Sequence, residues 1–194
     1  ISEADQDRLL QTVSSTLASL GQVSSSTPSI PTSPTTTMDA EQGVRWPTAV
    51  SSTAVVTRVV DGDTVDVRFD ETTDAVRIRL LGINTPESVD PRRPVQCFGK
   101  EASQALKALA EGKRIALQDD PQADDRDKYG RLLRTLVSEE GVDINATLVQ
   151  QGFAHAYLSF PLSKTRKAQL RALQTEAQKA ERGLWAATTC AGEP

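Results

Sequence analysis

Three short clusters of polar residues carry side chains that can bind cations, phosphates or water. They have the sequences DGDT at residues 61–64, RLLGINTPE at 79–87 and DKYGR at 127–131. Each cluster alone has an ordinary interpretation, because Asp-Gly-Asp is common turn chemistry and Thr-Pro-Glu often begins a helix. Their combination in one chain is more informative than any of them singly.

Together the clusters supply the groups that hydrolysis of a phosphodiester bond requires. Glu87 can orient or deprotonate a water molecule. Arg79 and Arg131 can hold phosphate oxygens in a planar, bidentate way and offset the charge that grows in the transition state. Three residues offer the hard oxygen atoms that divalent cations prefer: Asp63, Asn84 and Thr85.

The segments around the clusters predict the elements that position them. The Asp61-Gly62 step separates two β-rich runs, which is a strong hairpin signal. Strands are predicted over residues 53–60, 63–70, 75–83, 113–119 and 132–138. Helices are predicted over 98–111, 143–151 and 162–182, each followed by a glycine. This order indicates a mainly β, α+β fold, namely a five-stranded OB-fold barrel with three helices, and such barrels commonly bind oligonucleotides.

Within the third predicted strand, charged and apolar residues alternate. Arg77 and Arg79 are interleaved with Val76, Ile78 and Leu80. Because successive side chains of a strand point to opposite faces, both arginines are predicted to share one face.

The charge of the chain does not by itself indicate nucleic-acid binding. The formal net charge is −4, and residues 1–49 contribute five acids and only two bases to it. The remainder is nearly balanced, so affinity for phosphate must come from local arginines and lysines or from a bound cation.

The chain divides into three parts by composition. Residues 1–20 predict a short amphipathic helix or stalk, 21–49 a disordered linker rich in Ser, Thr and Pro, and 50–194 the folded domain. The first residue is Ile1, as expected of a cloned fragment or of a mature product without its signal peptide. No run of 18 apolar residues occurs, so no membrane-spanning segment is predicted.

The chain has two cysteines, Cys97 and Cys190. They are either two unrelated buried thiols or one disulfide between a loop and the C-terminal tail. A disulfide would imply an oxidising compartment.

The motifs VVDGDTV, RLLGINTPE and DKYGR, in this order, resemble the signatures of the staphylococcal nuclease family. FGKEAS, INATLVQQGFA and RGLW add to the resemblance, which covers roughly residues 53–186. It implies an OB barrel with three helices, and an enzyme that uses one Ca²⁺ ion to cleave DNA and RNA, leaving 3′-phosphates.

The resemblance also implies a role for each matching residue. Asp63 and Asn84 fall on side-chain metal ligands, and Thr85 on a ligand that acts through its backbone carbonyl. Arg79 and Arg131 fall on phosphate-binding arginines. The remaining matches are Glu87 with the acid that activates water, Lys128 and Tyr129 with contacts to a terminal phosphate, and Asp61 with an acid near the metal.

Other positions are less sharply defined by the pattern. The family has a base-stacking aromatic residue near Tyr157, and a small shift of the alignment would assign this role to Phe160 instead. His155 lies outside all three clusters, so a structural or surface role is expected for it.

Asn84 departs from the best-known family pattern, which has Asp at this position. The amide keeps a carbonyl oxygen but lacks a negative charge, so weaker calcium binding is expected.

A secreted or cell-surface, bacterial-type location is expected, with the N-terminal linker as a surface attachment, and a monomer is the default for this fold. The alternative is a catalytically silent module that binds nucleic acid or protein, but Asp63, Arg79, Glu87 and Arg131 are all present, which favours catalysis.

Overall fold

The computed structural model describes residues 52–89 and 94–193. The predicted N-terminal helix (1–20) and linker (21–49) lie outside the described residues. The strands are β1 (Ser52–Asp61), β2 (Thr64–Arg68), β3 (Val76–Leu80), β4 (Ile83–Asn84), β5 (Arg114–Gln118), β6 (Leu132–Ser138) and β7 (His155–Ala156). The helices are α1 (Gly99–Ala110), α2 (Ile144–Gln150) and α3 (Lys164–Lys179), and a 3-10 turn spans Gly183–Trp185.

Five strands close into a barrel in the order β1-β2-β3-β6-β5. All neighbouring pairs are antiparallel except β3 and β6, which run parallel. The apolar residues of the strands fill the interior, and they include Val56, Val65, Ile78, Leu117 and Leu136. The prediction of a five-stranded OB-fold barrel with three helices is therefore confirmed.

The predicted third strand, 75–83, is wrong in its last residues. Strand β3 ends at Leu80, because Gly82 adopts a positive φ of 79° and turns the chain. A Cβ atom on Gly82 would lie 2.7 Å from Leu170 Cδ1, so a side chain would collide with α3. The two residues after the turn form β4, which pairs with β7 rather than with the barrel.

The helices begin and end close to the predicted positions, and side-chain caps fix two of the starts. Asp143 accepts a hydrogen bond from the Ala146 amide at the start of α2, at 2.8 Å. Ser163 does the same for the Arg166 amide at the start of α3, at 3.3 Å. Helix α3 spans Lys164–Lys179 and is thus shorter at both ends than the predicted 162–182. Among the helices that the structure describes, none is both long and apolar enough to cross a membrane.

Cys97 and Cys190 form a disulfide across 93 positions of the chain. It joins the segment just before α1 to the C-terminal tail. Of the two interpretations that the sequence left open, the structure contains the disulfide.

Candidate active site

The tip of the β1–β2 hairpin presents two acids whose side chains are almost fully buried. Asp61 is 8% exposed and Asp63 is 7% exposed. Between them lies Gly62, where a Cβ atom would come within 2.8 Å of the Thr85 hydroxyl and 2.9 Å of Ala102. Glycine therefore allows the hairpin tip to pack against both α1 and the segment that follows β4.

The Asp61 carboxylate is held from several directions. Its Oδ1 atom accepts hydrogen bonds from the Gly62 amide at 2.8 Å, the Ser88 hydroxyl at 2.5 Å and the Ser103 hydroxyl at 3.1 Å. Burial raises the pKa of Asp61; the hydrogen bonds from Ser88 and Gly62 oppose this, and repulsion from Asp63 and Glu87 adds to it. Three carboxylates thus share one electrostatic environment at the hairpin tip.

Asp63 and Asn84 meet at a single guanidinium. Arg79 Nη2 lies 2.9 Å from Asp63 Oδ2 and donates a hydrogen bond to Asn84 Oδ1 at 3.0 Å. The Thr85 amide donates to the same Asp63 oxygen at 3.1 Å. The structure therefore brings three predicted metal ligands, Asp63, Asn84 and Thr85, into one neighbourhood.

The guanidinium of Arg79 is enclosed, with only 8% of its side chain exposed. Burial lowers its pKa from the ordinary value; the charge of Asp63 opposes this shift, and repulsion from Arg131 adds to it. Arg79 Nη1 donates to the Leu80 carbonyl at 2.8 Å, and the Phe160 ring lies 5.9 Å from its central carbon. These contacts fix the orientation of the guanidinium, and its repulsion with Arg131 shows that the two arginines lie in one region.

Arg131 is oriented by Asp127, four residues earlier. The Asp127 carboxylate accepts hydrogen bonds from Arg131 Nε at 2.6 Å and from the Arg131 amide at 3.0 Å. Burial of Asp127 acts to raise its pKa, but the hydrogen bonds from Arg131 and Tyr129 outweigh it, so the pKa is lowered. A charged carboxylate therefore positions Arg131, while 27% of the arginine side chain stays exposed.

Glu87 lies in the segment after β4, and Gln96 holds its backbone. Its amide donates to Gln96 Oε1 at 2.6 Å, and its carbonyl accepts from the Gln96 amide at 2.9 Å. One carboxylate oxygen, Oε1, accepts from the Val89 amide at 2.8 Å. Gln96 precedes Cys97, so the disulfide anchors the segment that holds Glu87.

The aromatic and basic residues predicted to bind substrate lie at the rim. Tyr129 is 72% exposed, and its ring centre is 5.0 Å from Lys128 Nζ and 5.4 Å from the Arg131 guanidinium carbon. Tyr157, which is 43% exposed, packs edge-on against Phe160 with ring centres 5.1 Å apart. Tyr157 and Phe160, the two candidates for stacking on a base, thus belong to one cluster beside Arg79, and Tyr157 is the more exposed of the two.

His155 pairs with Asn84 between β7 and β4, and its side chain contacts the C-terminal tail. Its Nε2 atom lies 3.2 Å from the Gly192 carbonyl, and its ring packs edge-on against Trp185 at 4.9 Å. These contacts join β7 to the C-terminal tail, which is a structural role.

Four residues that support the site carry no assigned role in the sequence analysis. Asp127 holds Arg131, Gln96 holds Glu87, and Ser88 and Ser103 hold Asp61. Only Asp127 had a readable signal, because it belongs to the DKYGR motif itself. The contacts of Ser88 and Ser103 with Asp61 join distant parts of the chain, and that of Gln96 with Glu87 depends on how the intervening loop folds back.

Oxygen atoms of mixed type make up the candidate metal centre. Across residues 52–89 and 94–193, no three His, Cys, Asp or Glu side chains are grouped as a metal site. The candidate set instead combines the Asp63 carboxylate with the neutral oxygens of Asn84 and Thr85. Such oxygens suit a hard cation, with lower affinity than a set richer in carboxylates would give.

An OB-type barrel that gathers acids and two arginines at one edge defines a hydrolase suited to phosphodiesters. Residues 77–187 match the family described as staphylococcal nuclease homologue. A thermonuclease of Staphylococcus intermedius is 37% identical over 131 residues, which are 68% of this chain and 74% of that protein. A thermonuclease of Staphylococcus hyicus is 34% identical over 137 residues, covering 71% and 78% of the two chains. An endonuclease of Escherichia coli described as uncharacterised is 34% identical over 130 residues, covering 67% and 74%.

The chain belongs to the staphylococcal nuclease family. It is accordingly a nuclease, and nucleic acids are its substrates.

Proposed function

We propose that this nuclease hydrolyses DNA and RNA in a calcium-dependent reaction that leaves 3′-phosphates. One observation carries the proposal: Asp63 and Asn84 converge on the buried guanidinium of Arg79, with Arg131 close enough to repel it. Asp63 and Asn84, the oxygen ligands for a cation, therefore contact Arg79, a positive group for a phosphate. The charge of Arg131, the second such group, acts on Arg79 as well.

The residues present fit a calcium ion. Asp63 Oδ2 and Asn84 Oδ1 both contact one nitrogen of Arg79, at 2.9 and 3.0 Å, and Asn84 Nδ2 is 3.5 Å from the Thr85 carbonyl. The Thr85 hydroxyl oxygen is buried beside them, and the described structure gives it no hydrogen-bond partner. When bound, calcium would supply positive charge that polarises a phosphate oxygen.

The other groups of the site divide the remaining work. Glu87 orients a water molecule and takes its proton as the water oxygen attacks phosphorus. Arg79 and Arg131 hydrogen-bond the non-bridging oxygens and stabilise the charge that develops there. The bond from phosphorus to the 5′-oxygen breaks, so the phosphate stays on the 3′-oxygen of the other fragment.

The rim residues bind the substrate on either side of the reacting phosphate. Lys128 and Tyr129 provide a charge and a hydroxyl for a terminal phosphate, and both are exposed. Tyr157 offers an exposed ring for stacking on a base, which single-strand binders commonly use.

Digestion of denatured DNA by the purified protein tests the proposal. Activity should require CaCl₂, should be absent in EGTA or with MgCl₂ alone, and should collapse in Glu87→Gln. Glu101→Gln, a change of an exposed glutamate on α1, should leave activity as it is. A folded wild-type protein with no activity in any metal would favour the silent binding module.

Asn84→Asp separates the metal from the rest of the site. Restoring the acid should lower the CaCl₂ concentration for half-maximal activity on the order of tenfold, because ligand charge tunes calcium affinity. An unchanged calcium requirement would argue against Asn84 as a ligand.

The chemistry of the products tests the direction of cleavage. Fragments with 3′-phosphates cannot be extended by a DNA polymerase until a phosphatase has treated them. Fragments that are extended without this treatment would contradict the proposed bond cleavage.

We also propose that the protein is a monomer that works outside the cytoplasm, where the Cys97–Cys190 disulfide is stable. Antibody detection in culture medium, on intact cells and in cytoplasmic extract tests the location. Detection in the extract alone would contradict it. Sedimentation equilibrium at the mass of one chain would support the monomer, and a heavier species would overturn it.

A further inference from the structure

A cleft of about 510 Å³ extends from the candidate active site over the outer face of the barrel. Its lining residues are Asp66, Ala75, Arg77, Tyr129, Gly130 and Arg131. Arg131 therefore belongs both to the site and to the cleft, which leads away from the reacting phosphate toward Arg77.

Arg77 and Arg79 lie on the same face of β3, as the sequence predicted. They pair across β2 with Asp66 and Thr64 respectively. Two residues along an antiparallel strand correspond to about 6.8 Å. The line from Arg79 to Arg77 thus continues the row of positive groups beyond the site.

Arg77 is part of a three-residue ion cluster with a formal charge of +1. Asp66 accepts from Arg77 Nε at 2.8 Å and Nη2 at 3.1 Å, and from Arg58 Nε at 3.2 Å and Nη2 at 3.0 Å. The Asp66 side chain is 13% exposed, whereas those of Arg77 and Arg58 are 46% and 62% exposed. The negative charge is covered, and the positive charges face solvent.

The lining of the same cleft includes Tyr129, which is largely exposed. A groove that combines positive charge with an exposed aromatic ring is the arrangement with which single-stranded nucleic acids are held, through their backbone and their bases. Such binding would give a role to Arg77 and Arg58, two arginines on the barrel face that take no part in the proposed reaction.

We propose that Arg77 binds the phosphate adjacent to the scissile one, so that a single strand lies in the cleft between Arg77 and Tyr129. The ligand is a single-stranded oligonucleotide with more than one phosphate. Arg77 thus makes the enzyme bind longer substrates more tightly than substrates with a single phosphodiester. This inference deepens the proposed function and depends on the same orientation of substrate.

Arg114 provides a matched control for Arg77. It forms a bidentate pair with Asp70 at 2.7 and 2.9 Å and is 41% exposed, but it does not line the cleft. Arg77→Gln and Arg114→Gln therefore each remove an arginine of similar exposure that donates two hydrogen bonds to an aspartate. The double change Asp66→Asn with Arg77→Gln keeps the net charge of the wild type.

The first measurement is binding of a fluorescein-labelled single-stranded dodecathymidylate in EGTA, followed by fluorescence anisotropy over a range of salt concentrations. Arg77→Gln and the double variant should each bind about tenfold more weakly, the loss expected for one charge-assisted contact. The slope of log affinity against log salt should become shallower by about 0.7, the value for one phosphate contact on a single strand. Arg114→Gln should match the wild type.

The second measurement compares substrates in CaCl₂. In Arg77→Gln, the ratio of kcat/KM for the dodecamer to kcat/KM for a p-nitrophenyl ester of thymidine 5′-phosphate should fall about tenfold. The ester has no second phosphodiester, so it offers no phosphate to Arg77.

If both Arg77 variants, shown to be folded by thermal melting, bind and cleave like Arg114→Gln, the subsite is overturned. A wild-type enzyme that cleaves nothing would overturn the proposed function instead. The binding measurement in EGTA would then still decide on the subsite, because it needs no catalysis.

Discussion

Arg79 and Arg131 differ in how far the fold encloses each guanidinium, and this difference separates their contributions to folding and to catalysis. Arg79 is paired with the buried Asp63, whereas Arg131 is partly exposed and paired with Asp127. Loss of Arg79 would leave a buried carboxylate without its partner, which is strongly destabilising. Arg131 is therefore the better probe of catalysis.

We expect Arg131→Ala to lower kcat on the order of 10²–10³-fold with little change in melting temperature. The catalytic loss follows from removing a preorganised positive group from the transition state. The small effect on stability follows because partly exposed ion pairs contribute little. Initial rates on denatured DNA and thermal unfolding of the same sample measure both quantities.

Arg171→Ala is the control, since Arg171 is an exposed residue on α3 and far from the three clusters in sequence. Its rate should equal that of the wild type. An unchanged rate in Arg131→Ala would rule out the assigned role of this arginine.

Asp61 is expected to make stability depend on pH. Burial raises the pKa of its carboxyl group in the folded state above the ordinary value. Its contribution to stability is therefore complete below the unfolded pKa and is lost as pH rises through the folded pKa. Asp61→Asn keeps an oxygen to accept from Ser88 and Ser103 and removes the buried charge.

At pH values above the folded pKa of Asp61, Asp61→Asn should be at least as stable as the wild type. Its stability should also decline less as pH increases from 4 toward 7. Urea unfolding at several pH values measures this difference. The same pH slope in the two proteins would show that Asp61 does not titrate differently on folding.

At the scale of elements, the buried pair of Asp143 and Arg166 joins the start of α2 to the first turn of α3. Asp143 is fully buried and Arg166 is 4% exposed, with Arg166 Nη1 hydrogen-bonded to Asp143 Oδ2. The same carboxylate caps α2 through the Ala146 amide. One side chain therefore fixes both helix starts.

We expect Arg166→Ala to lower the free energy of unfolding by about 3–5 kcal/mol, because it leaves Asp143 buried without its charge partner. Arg114→Ala, which breaks an exposed pair, should cost no more than about 1 kcal/mol. Urea denaturation of both variants gives the comparison. Equal costs would mean that the buried pair does not anchor the helices.

The order of elements was predictable because each barrel strand carries its own alternating or apolar pattern and each helix has a cap or a glycine at its end. β4 and β7 were not predicted. They are only two residues long, and they pair with each other across the chain, so neither has a periodicity that a local pattern can reveal. The third strand was predicted too long because its apolar run continues past Gly82, where the chain turns.

At the scale of the whole molecule, the residues proposed to contact substrate were easier to predict than those that hold them. Asp63, Arg79 and Arg131 lie in compact motifs whose chemistry can be read directly. The contact of Asp61 with Ser103 joins segments that are distant in sequence, and that of Glu87 with Gln96 closes a loop. Both depend on how the hairpin tip, α1 and the intervening loop pack. Sequence patterns carry little information about such packing.

The Cys97–Cys190 disulfide connects this packing to the C-terminal tail. Cys97 follows Gln96, whose side chain and amide hold Glu87, and Cys190 lies after the turn that contains Trp185. Removing the bridge in Cys97→Ser with Cys190→Ser should lower the free energy of unfolding by about 4–5 kcal/mol, the chain-entropy value for a loop of this length, or somewhat less.

The effect on catalysis should appear only on warming. Well below the melting temperature, the hydrogen bonds between Gln96 and Glu87 keep the site assembled, so the double variant should retain most of the wild-type rate. Near its lowered melting temperature it should lose activity while the wild type remains active. Wild-type protein treated with dithiothreitol should behave like the double variant, because both lack only the bridge. If reduction and substitution both leave the melting curve and the temperature profile of activity unchanged, then packing of the tail, and not the covalent link, holds the Glu87 segment in place.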